Sequence, residues 1–487
     1  MNKEKTQSRM GRVPKRKSGP PIVRQITTLA LAGVAGSAMA YEPTTTLGSL
    51  GATENQQRAG DAVQTVCGQF ASGSIPVTNA LEQDLFDRCR AMVHTANSIA
   101  GGAGATADSL SLNAEDLGNV VMTVAAEELA ATNAVARDMS AGQSRIATAR
   151  LQAVRAGNRF GFTGNGITNM ADASSSYSGE RGGAAGDLFS GPWGFFANIE
   201  GGFGDRDRTD NEDGFDYDSW GFDVGMDYRV TPNFIVGGLV NYRNGEVDFD
   251  DISTAPGIAS IPGGGIDSDA FGIGAYGTYY ADNYYIDGLI GYMRTSFDTK
   301  RTIYLPDAVN PANTVIRTAK GDTDSDGFQA SVGGGMDFAR GNLTYGPYGR
   351  LEYNYTDVDG YTESGALGLN LEVDSQDWES LTSVIGGRFS YSYSTSWGVL
   401  VPQGRLGWVH EFMNDSQKMS AIYAVDPGRN ELISITDDPD RNYFELGLGV
   451  STVAPNGMQV FFDYQTLLGH EYFNDHRFTL GVRGEFE

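Results

Sequence analysis

Long apolar runs are missing from this chain beyond residue 40, where no eighteen consecutive apolar residues occur. A protein that crosses a membrane with helices is thereby excluded. Basic residues are scarce: 35 Lys and Arg face 61 Asp and Glu, for a formal charge of −26. Eight of the bases and one acid lie in residues 1–40, so the remainder carries 27 bases, 60 acids and a net charge of −33. Phosphate backbones need a basic surface, which excludes nucleic acid as a partner. Histidine is limited to His94, His410, His470 and His476, and no third ligand stands at metal spacing from the last two. No zinc site is expected. A Gly-x-Ser-x-Gly elbow and a serine-hydrolase constellation are also missing, so neither an enzyme nor a cofactor is expected. Cysteine is limited to Cys67 and Cys89. In an exported chain such a pair reads as one disulfide rather than as a nucleophile.

What is present starts with export. Lys3, Lys5, Arg9, Arg12, Lys15, Arg16, Lys17 and Arg24 precede the apolar stretch Ile26–Ala38, and Ala38-Met39-Ala40 supplies a small-residue cleavage site. Residues 1–40 are predicted to be a secretory signal peptide, which makes the Sec translocon a partner during biogenesis. Residues 41–105 form a short helical region with helices predicted around Gln56–Gln69 and Asn79–Ile99, stapled by Cys67 and Cys89. Asn79 would cap the second helix, with Glu82 in the capping-box position. Residues 106–189 read as a helical linker that enters a pore. Asn113 precedes Glu115 and Asp116 as an N-cap, and helical composition continues to Arg159. Between Leu129 and Phe160 the charged residues are Arg137, Asp138, Arg145, Arg150, Arg155 and Arg159, a net of +4 in an acidic chain. At 100° per residue, Arg145, Arg150 and Arg155 point to three sides. A thin helix, basic on several sides, suits an acidic polar tunnel; a solvated helix is the plainer reading. Residues 160–189 are a Gly/Ser/Ala-rich linker.

From about residue 190 the pattern changes to a period of two. Trp220, Phe222, Val224, Met226, Tyr228 and Val230 alternate with Gly221, Asp223, Gly225, Asp227 and Arg229. The same alternation returns from Phe328 to Phe338, from Met458 to Tyr464, and from Phe478 to Phe486. Two faces of a strand that differ this way see different solvents. The segments reach the ten or so residues that a tilted strand needs to cross a bilayer. Short turns at 231–233, 281–283, 340–342, 394–396 and 454–457 alternate with long loops near 205–218, 249–268, 299–325, 357–376, 413–441 and 469–475. Five turns and six loops join twelve strands. Residues 190–487 are therefore expected to form a 12-stranded antiparallel transmembrane β-barrel, in a mainly β protein with a short helical N-terminal region and a pore-threading α-helix. Charged residues of the small face (Asp223, Asp227, Arg229, Glu352, Arg405, Glu411, Arg477, Arg483 and Glu485) are assigned to the lumen. Tyr242, Tyr279, Tyr284, Tyr292, Tyr353, Tyr443 and Tyr472 fall where aromatic girdles belong.

Val401-Pro402-Gln403-Gly404-Arg405-Leu406-Gly407-Trp408-Val409-His410-Glu411-Phe412, followed by Asp437-Asp438-Pro439-Asp440-Arg441, resembles the translocator domain of classical autotransporters, the type V secretion family. The last strand, with Phe478, Leu480, Val482 and Phe486, resembles that family's signal to the barrel-assembly machinery, although this chain ends in Glu487. The upstream basic helix resembles the family's pore-threading helix. Residues 41–105 are far shorter than the family's usual β-helical passenger. The resemblance implies a monomeric translocator in the bacterial outer membrane, in contact with lipid and lipopolysaccharide, with loops at the cell surface. It would display or secrete a short N-terminal segment. A channel or a surface adhesin without a secreted passenger is the alternative. Some family members cut their own linker at an asparagine, which draws attention to Asn158, Asn165 and Asn169 beside the lumen acids Asp223, Asp227 and Glu352. Asp322, Asp324 and Asp326 copy the start of a calcium loop, but position twelve would be Gly333. They are at most a loose calcium contact within a solvated acidic face.

Overall fold

Alternation of apolar with small or charged residues runs through twelve long antiparallel strands in the computed structural model. The structure describes residues 46–101, 106–125, 129–157, 160–163, 166–169, 192–252, 260–281, 283–454 and 458–486. The signal-peptide stretch lies outside them. Among the described residues no helix is long and apolar enough to cross a membrane.

The strands are β1 (Trp193–Arg206), β2 (Phe215–Thr231), β3 (Phe234–Phe249), β4 (Gly264–Ala281), β5 (Tyr284–Leu305) and β6 (Val315–Met336). They continue with β7 (Leu343–Val358), β8 (Gln376–Tyr391), β9 (Gly398–Glu411), β10 (Asn442–Val453), β11 (Gln459–Leu468) and β12 (Phe473–Phe486). Each pairs with the next, and β12 pairs with β1 from Phe473↔Arg206 to Phe486↔Trp193, which closes the cylinder. Closure has a physical cause. In hydrocarbon an open edge leaves backbone groups unpaired at several kcal/mol each.

The outer face is apolar: Ile199, Val224, Phe271, Ile273, Ile290, Ile385 and Leu480 are all exposed. Two aromatic girdles bound this belt. Trp220 stacks edge-on to Tyr242 on the side of the long loops, and Trp193 lies against Tyr228 on the side of the short turns. Eight steps along β2 separate Trp220 from Tyr228, about 26 Å of strand, which matches the apolar height of a barrel belt.

Strands β5 and β6 run for 22 residues each, twice what crossing requires. Most of the 299–325 stretch, expected as a loop, is thus a hairpin that stands out beyond the belt at the loop end. Its inward side chains Ile303, Leu305 and Ala319 are fully buried against the N-terminal helices. That burial is the reason the strands continue.

The helices are α1 (Glu54–Ala71), α2 (Ala80–Ile99), α3 (Ala114–Val124) and α4 (Leu129–Gly157). Thr53 caps α1, and the Asn79 side chain caps α2 by accepting from the amides of Leu81 and Glu82 at 3.0 Å. Glu82 reaches back to the Thr78 amide at 2.6 Å, and Asn113 caps α3 by accepting from the Asp116 amide at 2.9 Å. Cys67 and Cys89 form a disulfide between α1 and α2.

Two expectations are corrected here. The helical segment from Asn113 to Arg159 is two helices, and the N-terminal domain does not end at residue 105. Leu110, Leu112, Leu117, Val120, Val121 and Val124 complete the core of α1 and α2. An apolar helix cannot serve as a thin basic plug, so α3 joins the cap and only α4 enters the lumen. Within the 160–189 linker, Phe160–Thr163 and Gly166–Asn169 pair as a small hairpin.

The cap does not stand alone. Loop residues Tyr361–Thr362, Leu371–Val373, Lys418–Tyr423 and Glu431–Ile435 make a four-stranded antiparallel sheet at the loop end. Leu369, Leu371, Val373, Met419, Ala421, Tyr423 and Leu432 from these loops share one apolar core with Val63, Phe70, Leu85, Met92 and Leu117.

The helix-filled lumen and its cap

Helix α4 lies inside the barrel and leans on β3–β7. Its contacts change in kind along its length. Near the loop end Ala131, Val135, Ala136 and Met139 meet Phe215, Val247, Phe249, Met293 and Phe297 in an apolar cluster. Further down, Ile146, Ala147 and Leu151 pack on Phe196, Leu239, Tyr276 and Leu289. Small wall residues permit this approach. A Cβ at Gly291 would collide with the Gln143 amide, and one at Gly194 with Arg150 and Asp227.

Between and below these clusters the contacts are ionic. Arg145 lies 3.9 Å from Glu200 of β1. Arg150 donates two hydrogen bonds to Asp227 of β2, at 2.6 and 3.0 Å, and the Tyr276 hydroxyl adds a third at 3.1 Å. Arg155 pairs with Asp287 of β5, donates to Thr278 at 3.3 Å and covers the Tyr285 ring at 3.8 Å. Arg150 and Asp227 each expose only 5% of their side chains. A buried charge without its partner costs about 3–5 kcal/mol, so these pairs fix the register of α4 against the wall.

The wall carries its own network. Arg243 bridges Glu200 and Asp223 at 3.3 and 2.9 Å, and Arg477 bridges Glu200 and Asp475 at 3.5 and 3.0 Å. Arg350 contacts Glu352 at 3.1 Å and Glu445 at 3.2 Å, and Arg405 pairs with Asp463 at 2.8 Å. Glu411 accepts from Ser380 and from the Leu381 amide, at 2.5 and 3.0 Å. Arg229 donates to the Tyr280 hydroxyl at 2.9 Å near the turn end, and Arg483 covers the Phe461 ring at 3.6 Å. Asp223, Asp227, Arg229, Glu352, Arg405, Glu411, Arg477 and Arg483 thus all sit on the inner face. The side chains of Arg137, Glu485 and Phe486, and residues Asn158, Arg159 and Asn165, lie outside the described residues. Of the last-strand positions, Phe478 and Leu480 point outward and are exposed.

Lumen and cap meet through Arg301 of β5. Its guanidinium forks onto Glu363 at 2.9 and 2.6 Å and donates to the Thr123 and Leu369 carbonyls, at 2.7 and 3.1 Å. The pair is buried, with side-chain exposures of 4% and 2%. Thr123 lies in the last turn of α3, where a cation also complements the helix dipole. The Tyr423 hydroxyl donates to the Val124 carbonyl at 3.2 Å. Burial pushes this phenol well above its ordinary value, partly countered by Arg301, so it remains a donor. Arg317 of β6 pairs with Asp84 of α2. The Asn55 side chain donates to the Ile435 carbonyl at 2.9 Å and accepts from the Ile435 amide at 3.0 Å. Sequence reasoning missed these cap contacts.

Asp322, Asp324 and Asp326 stand on alternate positions of β6, facing outward, rather than in a loop. Asp324 and Asp326 pair with Arg294, at 2.8 and 3.2 Å. Among the described residues no group of three or more His, Cys, Asp or Glu is placed to hold a metal ion.

A model of the autotransporter β-domain family matches residues 195–465, more than half of the chain. The chain belongs to the autotransporter β-domain family. This outer-membrane translocator barrel is similar to an extracellular serine protease of Serratia marcescens, 22% identical over 265 residues. The match takes in 53% of this chain and 23% of that relative, so this autotransporter chain spans about a quarter of the relative's length. Among solved structures, the translocator domain of autotransporter NalP from Neisseria meningitidis is 16% identical, with a TM-score of 0.46. That alignment covers 71% of this chain and 98% of that one. The β-domain of the Bordetella autotransporter BrkA is 20% identical, at a TM-score of 0.43, over 61% of this chain and all of the other. For the transport unit of AIDA-I from Escherichia coli the identity is 14% and the TM-score 0.41, over 65% and 95% of the two chains.

Proposed function

We propose that this autotransporter barrel keeps its short N-terminal region as a cap at the cell surface and does not release it. The observation that carries the reading is the path of the chain. Helices α1–α3 pack among the long loops, while α4 passes down the lumen to Asp287, whose strand begins at the turn end. One shared core of cap and loop residues holds the exported segment in place. With α4 filling the lumen and the cap above it, the resting state is closed, which disfavours a standing channel. No enzymatic activity is part of this reading. Its partners are lipid and lipopolysaccharide in the membrane, with the Sec translocon and the barrel-assembly machinery acting during biogenesis. The assembled unit is a monomer with its loops at the cell surface.

The test is protease shaving of intact cells that carry an epitope inserted after Glu42. Loss of the epitope from intact cells is expected, together with a protease-resistant fragment that still contains α1–α3. Protection until the cells are permeabilised would leave the N-terminal region in the periplasm and overturn the proposal.

A further inference from the structure

The outer rim of the barrel carries two unlike arcs. Above the aromatic girdle on β2–β6, carboxylates stand directly opposite one another, Asp218↔Glu246↔Asp267↔Asp298↔Asp322, and the row ends on β2 opposite Phe203. Lys300 reaches Asp267 at 2.8 Å, but the arc is acidic overall. A second arc, over β9–β12 and β1, carries His410, His470 and His476 among aromatic rings. Its nearby carboxylates include Asp218 of β2, opposite Phe203, and three that are already engaged: Glu471 with Tyr472, Asp205 with Asn474 at 3.0 Å and Asp440 with His470 at 2.7 Å.

On this second arc the outer wall is grooved. A depression of about 630 Å³ opens between Phe203, Leu448, Val450, Phe462, Tyr464, His476 and Phe478. Phe203 and Phe478 stack at 6.1 Å along one side. Next to the groove, Ile199, Val460 and Leu480 are exposed members of the lipid-facing belt. Its polar side chains are Tyr464 and His476, joined by a 2.9 Å hydrogen bond between the hydroxyl and Nδ1. They mark the end nearer the loops: Phe473, first residue of β12, lies three positions before His476, and Leu480 lies four positions after it. When the Tyr464 hydroxyl donates to Nδ1, the neutral ring keeps its proton on Nε2 as a donor.

We propose that this groove seats an acyl chain of the lipid A part of lipopolysaccharide, with a headgroup phosphate or carbonyl accepting from His476. The choice of occupant follows from continuity and charge. The groove is part of the belt, so hydrocarbon fills it in the membrane. Hydrocarbon alone gives no preference, because every lipid tail is equally apolar. Preference comes from the groove's shape and from the polar pair at its loop-side end. An anionic headgroup is repelled by the carboxylates of β2–β6 and accepted at His476, which stands two strands away from Asp218 with Phe203 between them. Lipid A as the source rests on the loop end facing the outside of the cell, the orientation given above.

The test uses the purified full-length protein in detergent, with purified lipid A or phosphatidylethanolamine added and bound lipid counted by native mass spectrometry. Leu448→Trp fills the groove and should lower lipid A retention about tenfold. His476→Ala removes the headgroup donor, and loss of a hydrogen bond to a charged group implies at least about tenfold weaker retention. Ile286→Trp, on the outer face of the opposite wall, should leave retention unchanged. Heat-modifiable gel migration verifies that each variant remains a folded barrel. Retention unaffected by both groove variants, or reduced equally by Ile286→Trp, overturns the site. Phosphatidylethanolamine retained in preference to lipid A overturns the choice of occupant. Neither readout depends on where the Glu42 epitope resides, so this idea and the cap orientation fail separately.

Discussion

Helices α3 and α4 follow one another in the chain yet are held by opposite means. Helix α3 is apolar and is gripped from outside by the loop core, with Arg301 and Tyr423 on its last carbonyls. Helix α4 is rich in alanine and arginine and is held inside by wall carboxylates. The lesson is that the N-terminal helices are held by two kinds of attachment, one of loops to cap and one of wall to plug. Each is expected to break without the other.

The largest effect is expected at the plug. Asp227→Ala strands Arg150 in the lumen and should cost about 3–5 kcal/mol, read as a lower unfolding temperature and more frequent openings in planar bilayers. Cap protection from protease should persist in that variant; its loss would mean that the two attachments are one. At the cap, Glu363→Ala strands Arg301 at a comparable cost of about 3–5 kcal/mol. There the expected signature is reversed: α1–α3 become protease-sensitive while bilayer conductance stays at the wild-type level. Replacing Cys67 and Cys89 by Ser opens a crosslink across a separation of 22 residues and should weaken the cap by about 3 kcal/mol. Limited proteolysis should then cut between α1 and α2 first. The smallest change is Asn79→Ala, about 1 kcal/mol from a lost N-cap, visible as faster amide exchange in the first turn of α2.

Acid offers a further way to separate cap from plug. Burial acts to raise the Asp84 carboxyl, but the Arg317 hydrogen bond and charge, the Gly368 amide and Arg88 outweigh it, and the group is held below its ordinary value. The stability from this latch is complete above the unfolded value of about 3.9 and is lost as the pH falls through the lower folded value. The contribution of this latch to cap protection should therefore be flat from about pH 7 to 5 and decline below about 4. In Asp84→Asn that component of the decline should vanish, as followed by proteolysis with an acid-active protease.

The barrel was legible because its physics is local. The alternation of Trp220 to Val230 states which face meets lipid, and the turn and loop spacing counts the strands. The arginines of α4 were legible as charges out of place in an acidic chain. Lumen carboxylates were expected to face them, Asp227 included, but which acid meets which arginine was not legible, since Asp227 and Asp287 reach Arg150 and Arg155 only after the sheet has closed. The cap was hidden for the same reason. Leu371–Val373, Lys418–Tyr423 and Glu431–Ile435 are too short to announce strands within loops, and their apolar residues find α1–α3 across more than 200 positions of sequence. Met419, Ala421 and Tyr423 do alternate, which was the available signal. The break between α3 and α4 was present as a change from Val-rich to Ala/Arg-rich composition, at Val124 and Leu129.

Asn55 has a consequence beyond holding the cap. Glu431–Ile435 is an outermost strand of the loop sheet, and α1 lies along it. An uncovered strand of this kind is a template on which a neighbouring molecule can add its own. The Asn55 amide offers Ile435 the same donor and acceptor that another backbone would, so the ladder ends on a side chain. With α1 along the strand and Asn55 on Ile435, this edge is closed by the chain's own N-terminal region.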